Sequence, residues 1–144
     1  MNKILLEHLK KWEGCRLTAY PDQGGVWTIG YGCTGHGIVK GLIWSQDRAD
    51  RELEKRADQA EQTAIKYSPI LKDQNDSKRA AIASFIYNCG ADAYLKSWLK
   101  NSIDAGHWQE AAVQIKRWDH VSGKVNHGLD NRRAVEARML TTEG

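Results

Sequence analysis

The sequence has little proline and little cysteine, and it has no long apolar run. It contains two prolines and three cysteines in 144 residues. With 41% hydrophobic and 27% charged residues, the composition is typical of a globular protein and excludes a disordered or fibrous chain. The longest uncharged apolar run, near residues 80–89, is too short and too polar to cross a bilayer. We therefore expect one globular domain without a transmembrane anchor.

The N-terminal segment also lacks the features of a secretory signal. Charges at Glu7, Lys10 and Lys11 interrupt it before an apolar core can form, and it has no small-residue cleavage site. We therefore expect the protein to accumulate in the cytoplasm of the cell that makes it. The odd number of cysteines excludes a fully paired disulfide framework, so reduced thiols are expected. The net charge of +3 suits contact with anionic polymers such as cell-wall components, lipid headgroups or nucleic acid, without selecting among them.

Apolar residues recur at helical spacing along most of the chain. Helices are predicted over residues 2–12, over a long segment after the N-cap Ser45, from about residue 76 to Gly90, over 95–105, over 108–118, and up to about Leu140 after a loop at 119–128. Ile82, Phe85, Ile86 and Cys89 share one strongly apolar face, which makes their helix the best candidate for the centre of the core. Four tryptophans are also expected in the core, because they lie on helical apolar faces: Trp12, Trp98, Trp108 and Trp118.

The signal changes between residues 15 and 41, which hold seven of the thirteen glycines. Two segments that favour β-structure, 16–20 and 26–31, flank a turn and predict a small antiparallel sheet. The predicted fold class is α+β, with a small N-terminal β-hairpin lobe (about 14–44) against a mainly helical lobe (about 45–144 plus the N-terminal helix). A groove between two such lobes is a usual place for a substrate.

Three polar residues around the predicted hairpin form a candidate catalytic group. Glu13 lies at a helix end, Asp22 lies in the turn, and Thr28 lies six residues later on the returning strand. A carboxyl against an apolar wall keeps its proton to higher pH, whereas one in a polar turn stays ionised. We therefore assign Glu13 as the acid and Asp22 as the base, with Thr28 holding a water together with Asp22. Taken alone, each would be an ordinary helix-end charge, turn residue or strand residue.

The residues around this group resemble the signature of the phage-type lysozymes (endolysins) of glycoside hydrolase family 24. That signature runs E-G-x-x-L-x-x-Y-x-D-x-x-G-x-x-T-I-G-Y-G, and it is matched in register by Glu13, Gly14, Leu17, Tyr20, Asp22, Gly25, Thr28, Ile29, Gly30, Tyr31 and Gly32. Residues 84–90 (SFIYNCG) resemble the family's S-F-x-Y-N-x-G, and residues 128–136 (GLDNRRAVE) resemble its G-L-x-x-R-R-x-x-E. Three blocks in the same order cover nearly the whole chain.

The resemblance implies a lysozyme-like fold and a single catalytic domain over 1–144. It implies hydrolysis of the β-1,4 bond between N-acetylmuramic acid and N-acetylglucosamine in bacterial peptidoglycan, with host-cell lysis as the role. Glu13 would protonate the leaving oxygen, and Asp22 and Thr28 would activate and hold the water. Inversion at the anomeric carbon, with which the family is associated, needs carboxyls separated by about 6.5–9.5 Å.

Further expectations follow from the same resemblance. The last two residues of the signature, Tyr31 and Gly32, and the nearby Thr34 are expected to bind substrate. No metal or organic cofactor is implied. The partner is peptidoglycan rather than nucleic acid, and a monomer suits a groove enzyme on a polymer. The protein would stay in the host cytoplasm until a holin-type membrane permeabilisation gives it access to the wall.

One position departs from the family pattern. The family commonly has His directly after Gly-Tyr-Gly, where this chain has Cys33, and we expect the position to be structural. Cys33 and His36, with Cys15 upstream, could also suggest a partial zinc site, but no second ligand pair accompanies them. A buried thiol and a surface imidazole are the preferred interpretation.

The basic segment near the C-terminus has two interpretations. Arg132 and Arg133 fit an ordinary solvated basic face. However, Arg133 and Glu136 share a helical stripe with two leucines, so at least one charge is expected to point inward and be paired. The family block suggests that Arg132 or Arg133 reaches Glu13 and orients it.

Two other functions remain open at the level of sequence. A peptidoglycan-binding module could keep the fold without catalysis, although all three catalytic-type residues are present. A basic helical DNA-binding protein would use its Lys and Arg residues on phosphates, but the helices have no clear recognition segment.

Overall fold

A computed structural model describes residues 1–143. Gly144, the last residue of the predicted domain, lies outside the described residues. In chain order the elements are α1 (Lys3–Glu13), β1 (Arg16–Pro21), β2 (Trp27–Gly30), α2 (Gln46–Tyr67), a 3-10 turn (Pro69–Asp73), α3 (Asp76–Cys89), α4 (Ala91–Leu95), α5 (Trp98–Asp104), α6 (Trp108–Lys116), β3 (His120–Val121), β4 (Lys124–Val125) and α7 (His127–Leu140). The α+β prediction is confirmed. None of the helices in residues 1–143 combines the length and apolar character needed to span a membrane.

The predicted N-terminal hairpin is confirmed. β1 and β2 pair antiparallel, with Tyr20 opposite Thr28 and Pro21 opposite Trp27. The hairpin packs against the helices through the buried Ile29 and through Trp44, whose ring lies against Gly30. A Cβ at position 30 would lie 2.9 Å from that ring, so only glycine permits the contact.

The centre of the helical lobe is α3, as the apolar face predicted. Its residues from Ala80 to Phe85 are all fully buried, and α1, α2 and α7 pack around it. α2 begins at the N-cap Ser45, whose Oγ accepts the N–H of Arg48 at 3.0 Å. The predicted inner face of α2 is also confirmed, because its apolar residues are at most 7% exposed: Ala49, Leu53, Ala57, Ala60 and Ala64.

The predicted fourth helix is wrong in extent. The chain forms two short helices, α4 and α5, separated at Ser97, whose Oγ caps α5 by accepting the N–H of Lys100. The break turns Trp98 outward, and it is 72% exposed rather than in the core. Trp118 lies at the edge, 36% exposed, with its ring 5.1 Å from that of Phe85.

The loop predicted at 119–128 contains a small hairpin, β3–β4. Its two turn residues, Ser122 and Gly123, both have positive φ (51° and 80°), as a two-residue type I′ turn requires. Each strand has only two residues, which is too short for an alternating pattern, and all four strand residues are exposed. The periodicity of the sequence therefore did not reveal these strands.

Candidate functional site

Glu13 is the last residue of α1 and lies between the two lobes. Gly14 ends the helix at a φ of 66°, which releases the chain toward β1. The side chain of Glu13 is 16% exposed, and its Oε2 accepts a hydrogen bond from Nη1 of Arg132 at 2.5 Å. Its Oε1 lies against Gly32, where a Cβ would come within 2.8 Å. The hydrogen-bond partner of Glu13 is therefore an arginine, and the close neighbour of its Oε1 is the backbone of Gly32.

Asp22 and Thr28 are joined through one residue of the hairpin turn. Oδ1 of Asp22 accepts the backbone N–H groups of Gly24 at 2.8 Å and Val26 at 2.9 Å. The hydroxyl of Thr28, which is 4% exposed, donates to the carbonyl of Val26 at 2.9 Å. The hydrogen bond of Glu13 thus comes from α7, whereas those of Asp22 stay within its own turn. The site therefore consists of a Glu13 side and an Asp22 side.

The three predicted substrate-binding residues have different environments. Tyr31 is buried, and its hydroxyl donates to Asp50 at 3.0 Å; burial, together with Asp50, raises the pKa of Tyr31 to about 12. Its carbonyl accepts the hydroxyl of Tyr87 at 2.6 Å. Gly32 backs Glu13, and Thr34 is exposed. Only Gly32 and Thr34 present surface to the groove, and substrate contact by the three remains a prediction.

A pocket of about 290 Å³ is bounded by Gly32 and Thr34 on one side and by Arg56 and Tyr87 on the other. Arg56 of α2 donates to the carbonyl of Thr34 at 3.3 Å, which joins the two lobes across this pocket.

Behind Glu13 lies a buried network of charges. Glu136 of α7 is fully buried and accepts hydrogen bonds from His8, Ser84, Arg132 and Arg133. Burial by itself would raise the pKa of Glu136, but the hydrogen bond from His8 and the charges of Arg133 and Arg132 hold it below its usual value. The inference that at least one charge of this helix points inward is confirmed, since both arginines and Glu136 are buried.

Of the two arginines considered as partners of Glu13, the structure places only Arg132 against it. Arg133 instead donates to Glu136, to Asn88 and to the carbonyl of Trp118. The orienting role of Arg132 remains a prediction.

Cys33 is fully buried beneath the groove. Its N–H and C=O both bond to Ile29, at 2.8 and 3.0 Å, and burial raises the pKa of its thiol. His36 is exposed, so the prediction of a buried thiol and a surface imidazole is confirmed. The three cysteines are unpaired thiols.

Sequence reasoning missed His8 and Ser84 as neighbours of the site. His8 lies one helical turn before Trp12, on the buried side of α1, and Ser84 opens the block SFIYNCG. A polar residue at a core position of a helix was the available signal in each case. Tyr87, which holds the backbone at Tyr31, belongs to the same block.

The chain is similar to known proteins in sequence and in fold. The family model described as "Phage lysozyme" matches residues 10–136. An endolysin of Acyrthosiphon pisum secondary endosymbiont phage 1 is 33% identical over 136 residues, covering 92% of this chain and 91% of the relative. A SAR-endolysin of Bacteriophage PS119 is 35% identical over 125 residues, covering 86% and 73%.

Solved structures show the same fold. The muramidase domain of SpmX from Asticaccaulis excentricus superposes with a TM-score of 0.87 at 26% identity, covering 98% of this chain and 97% of the other. The active form of the P1 phage endolysin Lyz gives a TM-score of 0.84 at 26% identity, covering 97% and 84%. The predicted lysozyme-like fold is thus confirmed.

Proposed function

This chain belongs to the phage lysozyme family, and we propose that it hydrolyses the β-1,4 bond between N-acetylmuramic acid and N-acetylglucosamine in bacterial peptidoglycan. Relatives named endolysins support the coarser statement that it acts in lysis of the bacterial wall. The observation that carries the proposal is the placement of Glu13: a largely buried carboxyl between the two lobes, held by Arg132 and backed by Gly32.

Glu13 is the proposed general acid. Its Oε2 is engaged by Arg132, which leaves Oε1, the oxygen beside Gly32, to carry the proton. In the reaction this proton passes to the glycosidic oxygen as the bond to the anomeric carbon breaks. Because position 32 has no side chain, a sugar can approach Oε1 across the backbone.

Asp22 and Thr28 are proposed to bind and activate the water. The hydroxyl of Thr28 donates its hydrogen bond to the carbonyl of Val26, so its oxygen is free to accept a hydrogen bond from water. Oδ1 of Asp22 already accepts two N–H groups, which leaves Oδ2 to accept the second hydrogen bond of this water and, as the base, its proton. A water that donates both protons in this way directs a lone pair at the anomeric carbon.

Attack by that water from the face opposite Glu13 inverts the anomeric carbon, since no covalent sugar–enzyme bond forms. Proton transfers between carboxyls and water complete this reaction, so we propose that no metal or organic cofactor takes part.

The biological setting is proposed on the same basis. We propose that residues 1–144 act as one catalytic domain, as a monomer, and that the protein is held in the host cytoplasm until a holin-type lesion gives it access to the wall. Several relatives are named SAR-endolysins.

The test is release of reducing sugar ends from purified peptidoglycan. Glu13→Gln nearly preserves shape but cannot donate the proton, so we expect its rate to fall at least about 100-fold. Glu7→Gln, on the exposed side of the same helix, is the matched control and should keep the wild-type rate. If the wild type binds the wall but releases no ends, the chain is a binding module and the proposal fails.

A further inference from the structure

The carboxylate of Glu136 accepts hydrogen bonds from side chains of three helices. Its Oε2 accepts Nε2–H of His8 from α1 at 2.8 Å, Nε–H of Arg132 at 3.3 Å, and the hydroxyl of Ser84 from α3. Its Oε1 accepts Nη1–H of Arg133. The side chains of His8, Arg132, Arg133 and Glu136 are each at most 5% exposed. A carboxylate buried this deeply, with both oxygens engaged, is a costly feature that needs a reason.

Arg132 connects this carboxylate to Glu13. Its Nε bonds Glu136, its Nη1 bonds Glu13, and its Nη2 bonds Ser84 at 3.0 Å. A guanidinium is planar and rigid, so fixing two of its edges fixes the direction of the third. The position of the Glu13 carboxyl therefore depends on groups that do not face the groove.

The charges of this buried cluster are matched. Glu13 and Glu136 supply two carboxylates, and Arg132 and Arg133 supply two guanidiniums. Without Glu136, both guanidiniums would be left with Glu13 as the remaining carboxylate of the cluster. Excess positive charge stabilises the ionised form of a neighbouring carboxyl and lowers its pKa, so a smaller fraction of it carries the proton that a general acid must donate.

We propose that Glu136 is a positioning residue for Glu13: it holds Arg132 in place and offsets guanidinium charge that would otherwise favour the ionised form of Glu13. The proposal rests on the acid role of Glu13 given above. Glu136 itself does not touch the substrate, because it is fully buried.

The other titratable groups around the two carboxyls are few. They are His8 from α1 and Tyr87 and Cys89 from α3; burial raises the pKa of Tyr87 and of the Cys89 thiol, so both are neutral in the working range. Arg56 and Cys33 act on Tyr87 at longer range. His8 contacts Glu136 directly, so its contribution must be separated from that of Glu136.

The experiment measures kcat/KM on purified peptidoglycan across pH. The alkaline limb of this profile reports loss of the proton from the acid of the free enzyme. We expect Glu136→Gln to move its midpoint to lower pH by about one unit. Arg133→Gln removes a cation instead and should move the midpoint upward. The double variant has matched charges again, so its midpoint should return toward the wild-type value even if it is less stable.

Asp104→Asn is the matched control. It makes the same carboxylate-to-amide change in an ion pair with Lys100 on α5, and it should leave the midpoint unmoved. Repeating the series in a His8→Gln background removes the imidazole that contacts Glu136, and the two shifts and the return in the double variant should persist.

The outcomes separate this proposal from the one on which it rests. If the wild type releases no reducing ends, both fail. If the wild type is active and the midpoints of Glu136→Gln and Arg133→Gln coincide with that of the wild type, only the positioning role fails. A double variant whose midpoint does not return toward the wild-type value also overturns the positioning role, because a purely structural role predicts no such return. Should Glu136→Gln not fold, the direction of the shift in Arg133→Gln decides alone.

Discussion

Gly32 brings the backbone closer to Glu13 than any side chain would permit. A Cβ there would lie 2.8 Å from Oε1, and the residue has a φ of 81°. We predict that Gly32→Ala displaces the Glu13 carboxyl and lowers kcat at least about tenfold, in the range that misplacement of a catalytic group costs. The left-handed backbone should add about 1–2 kcal/mol of destabilisation. Rates of reducing-end release and thermal unfolding measure the two effects.

Gly37→Ala is the control for that prediction. Gly37 has nearly the same φ, 83°, but a Cβ there meets nothing within 4 Å. It should therefore lose similar stability and keep its rate. Equal loss of rate in both variants would mean that backbone strain, rather than the contact with Glu13, explains the effect of Gly32→Ala.

At the scale of single residues, sequence predicted the local parts of the site and missed the distant ones. Asp22 and Thr28 are six positions apart, so hairpin periodicity was enough to bring them to one turn. Glu136 and His8 are separated by 128 positions. Their contact depends on how α1, α3 and α7 pack, which no local pattern records. The contact between Glu13 and Arg132 spans 119 positions, and only the family resemblance suggested it.

At the scale of elements, the helices with strong caps and a wide apolar face were predicted well. α2 has Ser45 at its start and five small or apolar residues on its inner face, and α3 runs from an Asn75 cap to Gly90. The bounds of the helix after Gly90 were predicted poorly, because the spacing of Leu95, Trp98 and Leu99 in the sequence fits one continuous helical stripe. Capping by Ser97 divides that stripe, and local side-chain bonding outweighs the apolar spacing.

The hairpin β3–β4 offers a test of turn chemistry. Ser122 has a φ of 51°, and it is the one non-glycine residue with positive φ among residues 1–143. Glycine adopts this conformation without a Cβ penalty, so we predict that Ser122→Gly raises the free energy of unfolding by about 0.5–1 kcal/mol. Thermal or denaturant unfolding measures it. Gly123→Ala, at a φ of 80°, should have the opposite sign; a loss of stability in both variants would contradict the type I′ assignment.

At the scale of the whole molecule, the cluster around Glu136 joins the beginning of the chain to its end. α1 supplies His8, α3 supplies Ser84, and α7 supplies both arginines and the carboxylate. Three helices thus meet at a fully buried charge, so loss of that charge should lower the stability of the whole helical lobe. The stability of the fold and the proton on Glu13 depend on the same carboxylate.

This dependence predicts how stability changes with acid. Burial opposes ionisation of Glu136, but the bond from His8 and the two arginines prevail and hold its pKa below the ordinary value of 4.5. Above that value both the folded and the unfolded chain carry the ionised form, and the stabilisation is complete. As pH falls, the unfolded chain takes up its proton first, so the free energy of unfolding decreases until the folded pKa is reached.

We therefore predict a fall in melting temperature below about pH 4.5 that is smaller in Glu136→Gln than in the wild type. The variant lacks the titrating group, so it should be less stable at pH 7 and lose less on acidification. Melting curves between pH 7 and pH 3 measure the difference, with Asp104→Asn as the exposed counterpart that should follow the wild type. Parallel curves for wild type and Glu136→Gln would show that Glu136 is not held ionised in the fold, and the charge balance proposed around Glu13 would fail with it.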